Sequence, residues 1–386
     1  RELMTAPLRL DVPMSRTRYL VSPTIFRNYH RAPPLSTTGW FYYYQIMRQT
    51  TFLTAFAFFS AVTFLGAVGT GEQTQDSSYS IGVFVPGVVD GSPTYEMMVR
   101  GVQSAADEEG ARVAVVEGGF NQSTWEEGVM SMAASGEYDL IVTSNPSMPE
   151  IASSVADAVP EVEFLVLDGY LAGHPRIHTI LFNQQEQAFL SGYFAGLITQ
   201  STMEQSNAVP RIGLLAGQEY PIMNEVILPA YRLGLQSVVS DGTVDFRVLG
   251  NWFDAGKAQE ITVDMISQGS DTILTIAGGG NQGTIAAARE RGAYVLWYDD
   301  SGYDQAPGIV VGSSFVRQDS ASYEATAAAI RGELAFGEAQ VLGVADGAVS
   351  FDTDHEAFRA AVPAGIRREM EALINRMEEG ELTLAM

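Results

Sequence analysis

The chain contains no cysteine in 386 residues. Thiol catalysis, disulfides and thiolate metal sites are therefore excluded. Four histidines, His30, His174, His178 and His355, are scattered without the spacing of a metalloprotease helix. No His-based metal site is expected, and no metal ligand is assigned. Basic charge is also scarce: 22 basic residues stand against 46 acidic ones, net −24, and Lys257 is the only lysine. The imbalance is uneven. Residues 1–71 hold seven arginines against Glu2 and Asp11, which leaves 15 basic and 44 acidic side chains in residues 72–386. Such a surface repels phosphate backbones, so nucleic acid is not an expected partner. There is no G-x-S-x-G elbow, and the adjacent carboxylates (Glu126 with Glu127, Asp299 with Asp300) are neighbours in sequence, not facing partners. No catalytic residue and no enzyme activity are expected.

What is present begins with an apolar stretch. Residues 47–71, MRQTTFLTAFAFFSAVTFLGAVGTG, place one arginine before a 14-residue apolar core at 52–65, then small residues. That pattern reads as a secretory signal peptide with a small-x-small site at Ala67-Val68-Gly69, and it is short for a membrane span. An uncleaved anchor is the competing reading. Residues 1–46 are basic, proline-punctuated and without periodicity, and read as a non-native upstream extension with Met47 as the true start. Lipid attachment would need a cysteine after the apolar core, and none exists. Residues 72–79 read as a polar tether, and the product is expected to be periplasmic or in the cell envelope.

The stretch that organises the rest is SIGVFVPGVVDGSPTYEMMVRGVQSAADEEG, residues 80–110. A β-branched apolar run predicts a buried parallel strand, and Met97, Met98, Gly101, Val102 and Ala105 recur at helical spacing. Strands are expected at 113–117, 140–143, 164–167 and 177–182, separated by helices, as in right-handed βαβ crossovers. The pattern restarts with a helix at 185–199. Strands follow at 211–216, 244–249, 272–276, 295–298 and 309–315. The last expected elements are a helix at 320–334, a short pairing segment near 349–351 and one helix over 356–377. The fold class is α/β: two doubly wound parallel-sheet lobes joined by a hinge. Residues 80–182 plus 316–338 are assigned to lobe 1 and residues 183–315 plus 339–386 to lobe 2. Strand carboxyl ends then converge on a cleft, the usual ligand position in such sheets.

Several segments reach that cleft. Residues 277–284, AGGGNQGT, form a glycine loop before a helix, where backbone N–H groups at Gly279 and Asn281 can meet a ligand oxygen. The loop lacks the ending of a phosphate loop, and a tight turn admitting a ligand is the reading preferred here. GNWFD, residues 250–254, places two aromatics past a strand. One is expected in the core, with Trp252 stacking on a flat ring. Asp299, after WY, and Asp168, after FLVL, are placed to accept hydrogen bonds from hydroxyl groups, a turn or cap being the alternative for each. Asn121 or Ser123 reads as a helix cap.

Taken together, FLVLDG, NQQEQAFLSGYFAGLIT, GNWFDAGKAQE, IAGGGNQG and YVLWYDD resemble the basic membrane protein (PnrA-like) family over about residues 80–351. The resemblance implies a type I periplasmic-binding fold, three hinge crossings and closure on a ligand delivered to an ABC permease and its ATPase. Most of that family is associated with purine nucleosides, yet its S-F-N-Q-S first loop is replaced here by Pro93, Thr94 and Tyr95, and its late lysine by Val316. VPGVVDGSPTYEMMVRGVQ, EGGFNQ and TSNPSMPEI look more like the riboflavin-binding branch. The resemblance then implies riboflavin as a transported ligand, not a cofactor, with its ring between Tyr95 and Trp252. Asn145 would meet the imide edge, and Asp299 the ribityl hydroxyls. A monomer is expected. A purine-nucleoside-binding protein is the alternative, and a ligand-sensing module for a membrane kinase is the alternative from another class.

Overall fold

The computed structural model describes residues 79–207 and 209–384. The signal-peptide, upstream-extension and most of the tether assignments lie outside the described residues. The opening strand, β1 (Ser80–Val85), is buried along its whole length. Its two faces feed different cores: Ile81, Val83 and Val85 join one cluster, and Phe84 joins another with Trp125 and Phe164. A strand covered on both sides needs apolar side chains at successive positions, which is why SIGVFV does not alternate.

Helix α1 (Pro93–Glu109) follows, with proline in its first turn and Gly110 closing it at φ 77°. Proline lacks the N–H that a first turn leaves unpaired, and glycine takes the left-handed cap without a Cβ penalty. The first lobe continues through β2 (Arg112–Glu117), α2 (Trp125–Ala134), β3 (Leu140–Ser144), α3 (Met148–Ala158), β4 (Glu163–Leu167) and β5 (Ile177–Phe182). The second lobe holds α4 (Gln184–Thr199), β6 (Arg211–Ala216), α5 (Leu228–Val238), β7 (Thr243–Val248), α6 (Ala255–Ser267), β8 (Thr272–Ile276), α7 (Asn281–Arg291), β9 (Tyr294–Trp297) and β10 (Val310–Val316). After α8 (Gln318–Ile330) come β11 (Ala339–Leu342), β12 (Val349–Phe351), α9 (Glu356–Ala361) and α10 (Ala364–Glu378).

The strands form two six-stranded sheets, ordered β11-β5-β4-β3-β1-β2 and β12-β10-β9-β8-β6-β7. Every pairing is parallel except β10 with β12. Both lobes lie within one compact unit. The chain crosses between them after β5, after β10 and after β11. At the first crossing the Asn183 N–H donates to Leu342 O at 2.8 Å, and its side chain caps α4. At the third, Glu186 Oε2 accepts from the Val344 N–H at 2.7 Å. A Cβ on Gly343 would stand 2.3 Å from that carboxylate oxygen, so a larger residue there would displace the Glu186 side chain.

Two expectations change. The sequence assigns residues 339–386 to the second lobe without a strand at 339–342. In the structure, β11 pairs in parallel with β5 of the first sheet. Its pattern, half-buried and short, carries no apolar run because it is an edge strand. The last helix is also two helices, not one. Val362 is extended (φ −99°, ψ 128°) before Pro363, because the proline ring disfavours a helical residue before it.

Candidate functional site

Three non-glycine residues have positive φ among those described: Asn145 (152°), Asp168 (51°) and Asp299 (76°). Each stands at the carboxyl end of a strand, just past β3, β4 and β9. Such backbone costs roughly 1–3 kcal/mol per residue and persists where the surroundings impose it. Asn and Asp tolerate it best, because their short polar side chains bond locally. The fold therefore holds three polar side chains at strand ends, and Asp168 meets Gln184 of the second lobe.

On the first lobe, Tyr95 stands near the start of α1 and is half-buried. Its ring covers Gly87, where a Cβ would lie 3.0 Å from Tyr95 Cε2. The Tyr95 hydroxyl donates to Pro86 O at 3.3 Å and accepts from Asn145 Nδ2 at 3.5 Å. Burial pushes that hydroxyl up to about 12, with the Asn145 amide pulling the other way. Asn145 Oδ1 accepts from the Ser147 N–H at 3.0 Å, so the amide is oriented on both sides.

The second lobe repeats the device. Trp252 lies over Gly217, where a Cβ would meet its ring at 2.4 Å. The Tyr220 ring stands 6.3 Å from that of Trp252, tilted by 45°. Burial raises the Tyr220 hydroxyl first, and both Asp299 and Asp168 raise it further. Sequence reasoning missed Tyr220. It stands past the first strand of the second lobe, outside every motif that the sequence singles out.

The carboxylates are close enough to interact. Asp168 accepts from Gln184 Nε2 at 3.0 Å, and Asp299 accepts from Gln187 Nε2 at 3.3 Å. Desolvation pushes Asp168 up to about 7 against the Gln184 hydrogen bond. Asp299 is also pushed up to about 7, by desolvation first and by Asp168 second. Glu96 of the first lobe likewise raises Asp300 of the second, after burial. The Tyr298 hydroxyl donates to the Gln184 carbonyl at 3.4 Å. Gln184 and Gln187, in the first turn of α4, were also missed. Their spacing of three puts both on one helix face, but only the hinge brings that face to two strand ends.

Other expectations are corrected. Neither aromatic of GNWFD is in the core: Trp252 is 41% exposed and Phe253 78%. The Gly279 N–H donates to Trp252 O at 2.8 Å, so it is engaged inside the loop. A Cβ on Gly278 would stand 2.7 Å from the same carbonyl, and Gly278 has φ 57°, so glycine is needed there to seat GNWFD. Asn281 is buried, and its Oδ1 accepts from Thr275 Oγ1 at 2.7 Å and the Ala277 N–H at 2.8 Å. It fixes the loop. Lys257 donates to Leu249 O at 2.7 Å. Val316 is buried. Asn121 does cap a short turn, its Oδ1 accepting from the Ser123 N–H at 3.3 Å.

The arrangement thus offers aromatic faces, carboxylate acceptors and an amide from two lobes. Among the described residues, no group of three or more metal-ligating side chains stands together, and no helix is long and apolar enough to cross a membrane.

A family model for ABC transporter substrate-binding proteins, PnrA-like, matches residues 78–379. The chain belongs to this family. Its fold agrees with that of an ABC transporter solute-binding protein from Aeropyrum pernix K1, at a TM-score of 0.67 and 22% identity over 79% of this chain and 92% of the other. Basic membrane protein A1 of Borrelia garinii subsp. bavariensis is 23% identical over 66% of this chain and 74% of its own. The ABC transporter nucleoside-binding protein BmpA of Lactococcus lactis subsp. cremoris is 26% identical over 39% of this chain and 41% of its own. As a PnrA-like protein, the chain is an extracytoplasmic substrate-binding component that presents a small molecule to an ABC permease.

Proposed function

We propose that this PnrA-like protein binds riboflavin between its lobes and hands it to the permease, acting as a monomer. What supports the reading is the presence, near strand carboxyl ends of the two lobes, of aromatic rings (Tyr95, Trp252), carboxylates (Asp168, Asp299) and an oriented amide (Asn145). A flat ring stacks on the aromatics, and stacking is worth roughly 1–3 kcal/mol per ring. Ribityl hydroxyls donate to the carboxylates, and the Asn145 amide meets the polar edge of the ring. Contacts on both lobes favour the closed form, because a ligand shifts a hinge equilibrium only by its differential affinity. No bond is made or broken.

A purine nucleoside is the second reading, favoured by the name of the Lactococcus lactis relative. It uses the same groups with a shorter ring and a ribose. The deciding experiment is a titration of the purified, unfolded and refolded protein with riboflavin, following flavin fluorescence. Quenching that saturates at one ligand per chain supports riboflavin. No quenching, with thermal stabilisation by guanosine or adenosine, returns the site to nucleosides. Trp252→Ala is expected to weaken flavin binding about tenfold or more, and unchanged affinity removes the stacking role.

A further inference from the structure

The loops after β2 and β7 repeat one backbone. After β2, the Gly118 N–H donates to Val85 O at 2.7 Å and the Gly119 N–H to Gly87 O at 2.9 Å. After β7, the Leu249 N–H donates to Ala216 O at 2.8 Å and the Gly250 N–H to Gly217 O at 2.8 Å. Gly119 and Gly250 both have positive φ, 64° and 89°. An asparagine then closes each turn through its side chain: Asn121 accepts from the Ser123 N–H, and Asn251 from Phe253 and Asp254.

Each loop carries a phenylalanine that the site as described does not use. Phe120 is 75% exposed and Phe253 78%, more than any other large hydrophobic residue described. Neither is loose at the surface by accident of a tail or tether. Phe120 stands on the same glycine as Tyr95: its Cε1 lies 3.5 Å from the Cβ that Gly87 lacks. Trp125 pins the loop by donating its Nε1–H to Gly119 O at 2.8 Å. Phe253 follows Trp252, and its backbone rests on Gly279. Each lobe therefore has an inner aromatic and a neighbouring, more exposed one.

Sheet order says where the loops that carry the exposed ones stand. The hinge strands β5, β11, β10 and β12 occupy one edge of each sheet, and β2 and β7 occupy the opposite edge. Loops at the carboxyl ends of β2 and β7 are thus the cleft-facing loops farthest from the hinge. Those are the lips that travel farthest when the lobes close.

We propose that Phe120 and Phe253 form a second aromatic pair at the cleft mouth, which closes over the outer end of a bound ring and selects ring systems longer than a purine. This rests on the reading that the inner part of the ring lies between Tyr95 and Trp252. Two fused rings fill the inner pair, and a third reaches the mouth. Covering the phenyl rings on closure removes apolar surface from water only when a ring of that length is present.

The test compares wild type with Phe120→Ala, Phe253→Ala and Phe120→Tyr, titrated with riboflavin by fluorescence and with guanosine by calorimetry. Each alanine variant is expected to lose roughly tenfold in riboflavin affinity, with a smaller loss for guanosine, an unchanged Tm and recovery in Phe120→Tyr. If wild type binds riboflavin and the alanine variants bind it equally well, the mouth pair is wrong and the ligand reading stands. Equal affinity with lost uptake in cells also overturns it, and gives these residues to the permease. If wild type binds guanosine and not riboflavin, selection for long rings is wrong. Binding of neither overturns both readings.

Discussion

In the first lobe the site is held locally. Tyr95, at the start of α1, donates to Pro86 O past β1 and accepts from the Asn145 amide past β3, all within that lobe. The carboxylates are held differently. Both take their hydrogen bond from the first turn of α4, Gln187 to Asp299 on the second lobe and Gln184 across to Asp168 on the first. Helix α4 packs on α5, β10 and β12 of the second lobe and begins one residue after a hinge crossing. Ring faces are thus the property of each lobe, while the carboxylate pair belongs to the hinge. The aromatics therefore sit on separate lobes, whereas both acids are tied to one helix.

The largest expected effects concern what makes each lobe rigid. Gly192 on α4 leaves no room for a methyl, since a Cβ would stand 2.0 Å from Tyr231 O. In the first lobe Gly101 plays the matching part between α1 and α8, with a Cβ 2.2 Å from Asp319 O. Because the obstructing atoms include backbone, Gly192→Ala and Gly101→Ala are each expected to destabilise by about 3 kcal/mol. Denaturant unfolding measures this. If only one variant is destabilised, the two seams are not equivalent.

Next come the carboxylates. At pH 8, where both are ionised, Asp168→Asn and Asp299→Asn are each expected to weaken ligand binding by about 1.5–3 kcal/mol, the worth of a hydrogen bond to a charged group. Their pH effect has the opposite sign for stability. Folded Asp168 and Asp299 keep their protons up to about 7, against about 3.9 in an unfolded chain. The folded state therefore binds more protons in that window, and wild-type stability falls as pH rises from about 4 to about 7. Either asparagine variant is expected to match wild-type Tm near pH 4 and exceed it at pH 8. A variant Tm below wild type at pH 8 would show that the acids are charged and well satisfied in the empty protein.

A smaller effect tests the hinge side of the comparison directly. Gln184→Ala removes the hydrogen bond across the lobes, and is expected to cost about 1 kcal/mol of ligand affinity. Gln187→Ala acts within the second lobe, and comparing the two by calorimetry shows whether crossing lobes matters. The smallest effect is expected at the glycine loop. The nearest atom to a Cβ on Gly279 lies 3.5 Å away, and the N–H of that residue already serves Trp252 O. Gly279→Ala should leave affinity within about 0.5 kcal/mol, as for a surface change away from special features. A tenfold loss would restore this loop to the binding surface.

Much of this protein was determined by the sequence alone. Short β-branched runs separated by helical periods specify a parallel sheet, because strands covered on both faces need apolar side chains at successive positions. The restart after residue 182 specifies a second lobe, and chemistry at strand ends follows from the direction in which βαβ units run. The places of Asn145, Asp168 and Asp299 just past strand ends were legible for that reason. Only the tertiary structure decided the rest. β11 was silent because an edge strand needs no apolar run, and its pairing partner lies some 160 residues away in the chain. Asn281 and Gly279 looked like ligand groups until their neighbours appeared, since a hydrogen-bonding group is available only if the fold has not already used it. Tyr220, Gln184 and Gln187 are ordinary residues by local pattern. They matter because the hinge folds one helix turn against two strand ends, and no local period records a contact between distant segments.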